Sequence, residues 1–290
     1  MMRRSTRVGL IGLLMGAALV VPAATASATE TEDRASHRAP SLDIVGLVSG
    51  AELVDFTSDS SRTDNRRPVT GLDGDQRLVG IDYRVQDGKL YGVGDTGGIY
   101  TVDADGSATK VRQLSVPLDG VAFGVDFNPA ADALRVVSDT GQNLRQPFAM
   151  PEAATVADGK LTNPAAPPAT GTVPATGVTG VAYTNNDSDT DTATTLYALD
   201  TTGDQIAIQS PANAGSLAAT GKLGVDAGID AGFDIYSTLR GDTAVDQTAF
   251  AALQVDGTTT LYRANLFTGS VARVGDLDRD VTDLAIALGH

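Results

Sequence analysis

The chain has no cysteine and no tryptophan among its 290 residues, and only two histidines. Lack of cysteine excludes disulfides, thiolate metal sites, lipid attachment at sulfur and a cysteine nucleophile. The histidines are His37 and His290, close to one end and at the other. Neither is placed to serve a serine inside a folded region, which argues against a Ser/His/Asp triad. The missing tryptophan removes the best sugar-stacking surface. Beyond residue 40 the glutamates are Glu52 and Glu152, so aspartate would have to supply the carboxylates of a glycosidase.

Positive charge is scarce as well, with 21 Lys and Arg against 36 Asp and Glu and a net charge of -15. Such a surface repels phosphate, so nucleic acid and anionic headgroups are poor partners, whereas cations or a basic partner fit. Long apolar runs are lacking with one exception. Arg3, Arg4 and Arg7 precede the run Val8 to Val21, and small residues follow at Ala26-Ser27-Ala28, the pattern of an export signal over residues 1–28. That run is well short of the ~20 residues needed to cross a bilayer. Its removal takes three arginines and no acid and moves the net charge to -18. The expectation is a secreted protein, extracellular or associated with the cell envelope, with no membrane contact once the signal is gone. Residues 29–40 are polar, with Glu30, Glu32, Asp33, Arg34 and Arg38, and are expected to form a disordered leader ahead of a single domain over 41–290.

What the chain has in quantity is repetition. A block of Gly, apolar residue, Asp and aromatic recurs as Gly80-Ile81-Asp82-Tyr83, Gly124-Val125-Asp126-Phe127, Gly180-Val181-Ala182-Tyr183 and Gly232-Phe233-Asp234-Ile235, with a degenerate copy at Asp283-Leu284-Ala285-Ile286. A period of about fifty residues built of strand-like pieces means stacked units that cannot bury their apolar faces alone. Within one period four strands are legible, at Leu78–Arg84, Lys89–Gly94, Gly98–Val102 and Thr109–Val116, joined by Asp87-Gly88, Thr96-Gly97-Gly98 and Asp105-Gly106 turns. Four antiparallel strands per unit make a propeller blade.

The two ends complement one another. Ile44–Val48, Glu52–Phe56 and Pro68–Gly71 resemble the outer strands of a blade lacking its first, and Val281–Leu288 resembles a first strand with nothing after it. The fold class expected is all-β, a β-propeller of five four-stranded blades with the last shared between the termini, which leaves no exposed edge at the closure. Six blades is the alternative. Ser60–Arg67 reads as an exposed polar hairpin. Ala165–Thr176, with Pro167, Pro168 and Pro174, reads as a surface excursion of the second blade.

The blocks Gly124-Val125-Asp126-Phe127-Asn128-Pro129, Arg135 to Arg145, Gly180 to Asp187, Gln209-Ser210-Pro211 and Gly232 to Tyr236 resemble an uncharacterised secreted bacterial family, one of the domains of unknown function. The likeness spans about Leu47 to Ile286. It implies a propeller-like β domain and supplies no reaction and no site residues.

Three constellations carry candidate chemistry. Asp82, Asp126 and Asp234 hold repeat-equivalent places, where carboxylates converging on a channel would bind a ligand or cation or do acid and base chemistry; a repeated structural bond to a neighbouring turn explains them too. Asp187, Asp189 and Asp191 alternate as Ca²⁺ ligands do, but Thr192 and Ala198 break the full loop pattern, and a solvated hairpin has the same composition. Asp139, Gln142 and Asn143 lie in a compact polar stretch that either faces a ligand or bonds its own backbone. Arg240-Gly241-Asp242 reads as a turn. The expectation is a monomeric, non-enzymatic binding or scaffolding module that meets an unknown ligand or envelope partner and needs no cofactor. A Ca²⁺-assisted hydrolase using Asp82, Asp126 and Asp234 is the alternative.

Overall fold

Residues 41–189 and 191–289 are described by a computed structural model of the chain. The expected signal and leader, with His37 and His290, lie outside the described residues. The strands run β1 (Asp43–Val48), β2 (Glu52–Thr57), β3 (Ser60–Pro68), β4 (Leu78–Arg84), β5 (Lys89–Gly94), β6 (Gly98–Val102), β7 (Ala108–Gln113), β8 (Phe123–Asn128), β9 (Ala133–Ser138), β10 (Asn143–Pro147) and β11 (Val156–Ala157). They continue as β12 (Thr162–Pro164), β13 (Thr172–Pro174), β14 (Val178–Tyr183), β15 (Leu196–Asp200), β16 (Gln205–Gln209), β17 (Leu217–Lys222), β18 (Ala231–Arg240), β19 (Thr243–Val255), β20 (Thr258–Ala264), β21 (Val271–Asp276) and β22 (Val281–Ile286). One 3-10 turn, Ala212–Ala214, is the helical element among the described residues.

Five antiparallel four-stranded sheets result: β4–β7 as blade 1, β8–β11 as blade 2, β14–β17 as blade 3, β18–β21 as blade 4, and β22-β1-β2-β3 as blade 5. Inner strands β4, β8, β14, β18 and β22 neighbour one another in that order and β22 returns to β4, closing the ring. The tail strand pairs with β1 in register from Ile44↔Ile286 to Leu47↔Asp283, so both ends of the domain complete one sheet.

The core is divided among the five seams between blades. Tyr91, Phe127 and Phe148 pack edge to face at seam 1–2, with ring centroids 5.0–5.5 Å apart. Val137, Val181 and Leu217 fill seam 2–3, Tyr197, Phe233 and Leu253 seam 3–4, Phe250, Leu261 and Ile286 seam 4–5, and Leu47, Leu78 and Tyr100 seam 5–1. A sheet apolar on both faces must be covered on both, and a ring covers every sheet twice.

Glycine opens four of the five inner-strand blocks because the strands almost touch there. A Cβ on Gly124 would lie 2.6 Å from the Val181 nitrogen, and one on Gly232 would lie 2.6 Å from the Asp283 Cα.

Two strand readings, both in blade 5, need correction. The outer strand of blade 5 is β3, Ser60–Pro68, not Pro68–Gly71, and the segment read as a free hairpin is that strand. An outermost strand covers little core; in β3 only Thr63 is buried, so the apolar alternation that betrays inner strands is absent. The hairpin β18–β19 is far longer than its apolar portion, running to a tip at Gly241 with φ +63°. The proline-rich excursion forms the small sheet β12–β13, anchored by buried Leu161 and Ala175 at seam 2–3.

Candidate functional site

Along an inner strand side chains alternate, so the residue two after the glycine also faces the next blade, one rung further on where a short side chain fits. Asp82, Asp126 and Asp234 occupy that rung. Asp82 Oδ2 accepts the Phe127 N–H at 2.7 Å, Asp126 Oδ1 the Tyr183 N–H at 3.0 Å and Asp234 Oδ2 the Ile286 N–H at 2.6 Å, each across a seam. Asp82 and Asp234 also accept their own following amides, Tyr83 and Ile235. Carboxylate oxygens of the three lie within 4.8 Å of one another, and all three residues are buried.

A fourth buried carboxylate, Asp283, stands where the other copies have glycine, and its Oδ2 accepts the Ile81 N–H at 2.8 Å. The absent Cβ of Gly80 makes room for it, since one built there would lie 3.0 Å from that oxygen. Asp283 was not singled out from sequence. The signal was present as a charged residue in a glycine position of the repeat.

Burial raises all four carboxyls. Asp82, Asp126 and Asp283 stand well above the ordinary carboxylate range and Asp234 is raised to about 6. Repulsion from neighbouring carboxylates adds to burial at Asp82, Asp126 and Asp283, while main-chain N–H donors pull the other way. Neutral members of such a cluster can share protons with the charged ones, and a cation could take their place. The pit at the mouth of the axis, lined by Arg77, Val79, Phe123, Thr179 and Thr282, is only about 60 Å³.

Asp139, Gln142 and Asn143 hold loops together. Asp139 Oδ1 accepts the Val121 and Ala122 amides, and Gln142 accepts from Asp119 N–H and donates to Pro117 O. Asn143 is buried; its Oδ1 accepts from Arg135 Nη1 at 2.8 Å and its Nδ2 donates to Gly159 O and Ala212 O. Arg135 is itself 1% exposed and donates further to Asp158 and Asn213, both at 2.8 Å, pinning blade 2 to the loop beyond β16 in blade 3. The block Arg135 to Arg145 therefore contributes a buried clamp at seam 2–3.

Asp187, Asp189 and Asp191 do not bring their carboxylates together; among the described residues the group that does so is Asp82, Asp126 and Asp234. Asp187 is buried, accepting the Asp189 N–H at 3.1 Å and the Ala244 N–H of the β18–β19 hairpin at 3.1 Å. Asp189 accepts the Asp191 N–H at 2.9 Å. Replacing Asp187 with Ala strands two amides and should cost about 1–2 kcal/mol, read as a lower thermal midpoint. The exposed pair should tolerate the same change within about 0.5 kcal/mol. Equal effects at all three positions would contradict this division.

The Asp rung holds Ala182 in blade 3 and Ala285 in blade 5, so seams 3–4 and 5–1 lack a carboxylate there, and of the two only seam 5–1 is bridged, by Asp283 to Ile81 from the glycine position. Those two seams hold wide clefts. One, of about 770 Å³ between blades 5 and 1, is lined by Asp43, Asp55, Arg67, Tyr83, Lys89 and Asp103 among others. The other, of about 710 Å³ between blades 3 and 4, is lined by Asn185, Tyr197, Gln247, Arg263, Leu266 and Phe267 among others. Both open beside the ends of the inner strands that follow the Asp rung.

The profile of a family described as Domain of unknown function (DUF4394) matches residues 52–285. Among curated proteins none matches the chain. Similar solved structures include a protein from Lactobacillus plantarum, at 17% identity over 82% of this chain and 67% of that one, TM-score 0.40. A chain of a nidogen/laminin complex matches at 10% identity over 86% and 99%, TM-score 0.47. A structural genomics protein of unknown function from Bacteroides thetaiotaomicron matches at 13% identity over 86% and 68%, TM-score 0.44.

Proposed function

The chain belongs to the DUF4394 family, and from that premise we propose that it is an exported, non-enzymatic module that binds or scaffolds a partner in the cell envelope or outside the cell, as a monomer. The observation that carries this reading is the fate of the carboxylates. Asp82, Asp126 and Asp234 are buried and bonded to backbone amides across seams, while the open space lies elsewhere, in the two inter-blade clefts. A general acid or base must reach its substrate within hydrogen-bond distance, and a sealed side chain cannot. The clefts, by contrast, have the size of ligand sites and mix apolar walls with a few polar groups.

The competing hydrolase reading needs Ca²⁺ at the hub. A panel of glycoside, ester, peptide and phosphoester substrates, run with Ca²⁺ and with chelator, separates the two. No turnover above buffer in either arm is expected. Turnover that chelator removes, and that Asp126→Asn also removes, would replace the binding reading with the hydrolase.

A further inference from the structure

Resting on the binding-module reading, we infer that the cleft at seam 3–4 takes an extended, basic peptide segment of a partner protein by strand addition to β19. The pairing of β19 explains why. Its inner neighbour β18 accompanies it to Arg240↔Thr243, but β20 pairs with it only from Val255↔Thr258 to Ala249↔Ala264. After Ala264 the chain turns away to β21. Val245–Thr248 therefore lies beyond the last β20 pair, and it lines the cleft with the turn that leaves β20. An added strand would continue the line of β20, bonding to main-chain groups with side chains alternating between cleft and solvent.

The walls suit an apolar anchor. Phe267 is 87% exposed and Val245 51% exposed at the rim, while Tyr197 and Leu266 are buried. Two of the outer strands carry rows of charge that discourage pairing, Arg62, Arg66 and Arg67 on β3 and Lys110 and Arg112 on β7. The cleft lining balances Asp246 against Arg263, and the adjoining loop and hairpin tip add exposed Asp189, Asp191 and Asp242 against Arg240. That excess, on a chain of net charge -15, opposes a second copy on this edge and favours lysine or arginine beside the apolar anchor.

The probe is a proline-free heptapeptide library alternating Val, Ile, Phe or Tyr with Lys, measured by fluorescence polarisation on the whole chain. Controls are the same library with Glu for Lys and the best binder with alternate backbone amides methylated. Binding of the Lys set is expected, weakened at least tenfold by Phe267→Ser, by amide methylation and by the Glu exchange. No binding by any library member, or binding indifferent to methylation or to Phe267→Ser, overturns the strand-addition site. If binding survives Phe267→Ser but is lost on Tyr83→Ala in the other cleft, this site falls and the binding-module reading stands. Turnover in the substrate panel would bring down that reading instead.

Discussion

Removal of Val281–His290 should abolish the cooperative thermal transition or lower its midpoint by tens of degrees. Strand β22 supplies the inner edge of blade 5, and its Val281, Leu284 and Ile286 are 1–3% exposed. Burial of side chains of that size stabilises by about 1.5–3 kcal/mol each, so the three contribute about 5–9 kcal/mol. That approaches the whole ~5–15 kcal/mol by which domains are stable. The same deletion strips Ile81 of its Asp283 acceptor and Asp234 of the Ile286 N–H, and it exposes β1 as an open edge at the hub. At about 2–4 °C per kcal/mol for a domain of this size, circular dichroism melting should register a fall of about 10–35 °C. A synthetic peptide of the removed sequence should restore part of the loss by refilling the gap. A truncated protein melting with the full chain would show that closure does not depend on the tail strand.

The ring was legible because propeller construction repeats one local solution. Four of the five inner strands have glycine where backbones nearly touch, and all five have a small or carboxylate side chain one rung on, so the block recurs whatever the surrounding loops do. The shared blade was legible for the same reason, since Asp283-Leu284-Ala285-Ile286 is a fifth copy with no outer strands after it. Outer strands were harder to place. β3 and the far half of β19 bury little, so their sequence need only avoid breaking a strand, and nothing in Ser60–Pro68 separates it from a polar turn. The candidate site was legible as a list of aspartates but not as geometry. That Asp82, Asp126 and Asp234 bridge seams, and that clefts open where Ala182 and Ala285 stand instead, depends on which blade each strand faces. Arg135 gave no signal of its own, because a buried arginine is satisfied by Asn143, Asp158 and Asn213, residues up to 78 positions away from it.

Between pH 5 and 8 the protein should lose stability as pH rises, and the hub carboxylates should be the cause. A carboxyl whose pKa is higher folded than unfolded favours the fold in its neutral form. Its contribution is complete below the unfolded value near 4 and is lost as pH rises through the folded value. For Asp234 a move from the ordinary 3.8 to about 6 corresponds to about 3 kcal/mol lost by neutral pH. Asp82, Asp126 and Asp283 act in the same direction. Carboxyls shifted the other way, such as Asp75 beside Tyr100 and Thr96, lose their contribution only as pH falls below the unfolded value near 4. The window above pH 5 thus isolates the hub. Wild type should melt several degrees higher at pH 5 than at pH 8, and a triple variant of Asp82→Asn, Asp126→Asn and Asp234→Asn should flatten that slope. Asparagine still offers an oxygen to Phe127, Tyr183 and Ile286, so the seams keep their acceptors while three of the four titrating groups are removed and Asp283 alone is left. A slope equal in both proteins would remove the hub as its source. A divalent cation on the axis would reverse the sign, because it binds the ionised form: the midpoint would then rise with pH and with added Ca²⁺, and the hub would be a metal site rather than a proton-sharing lock.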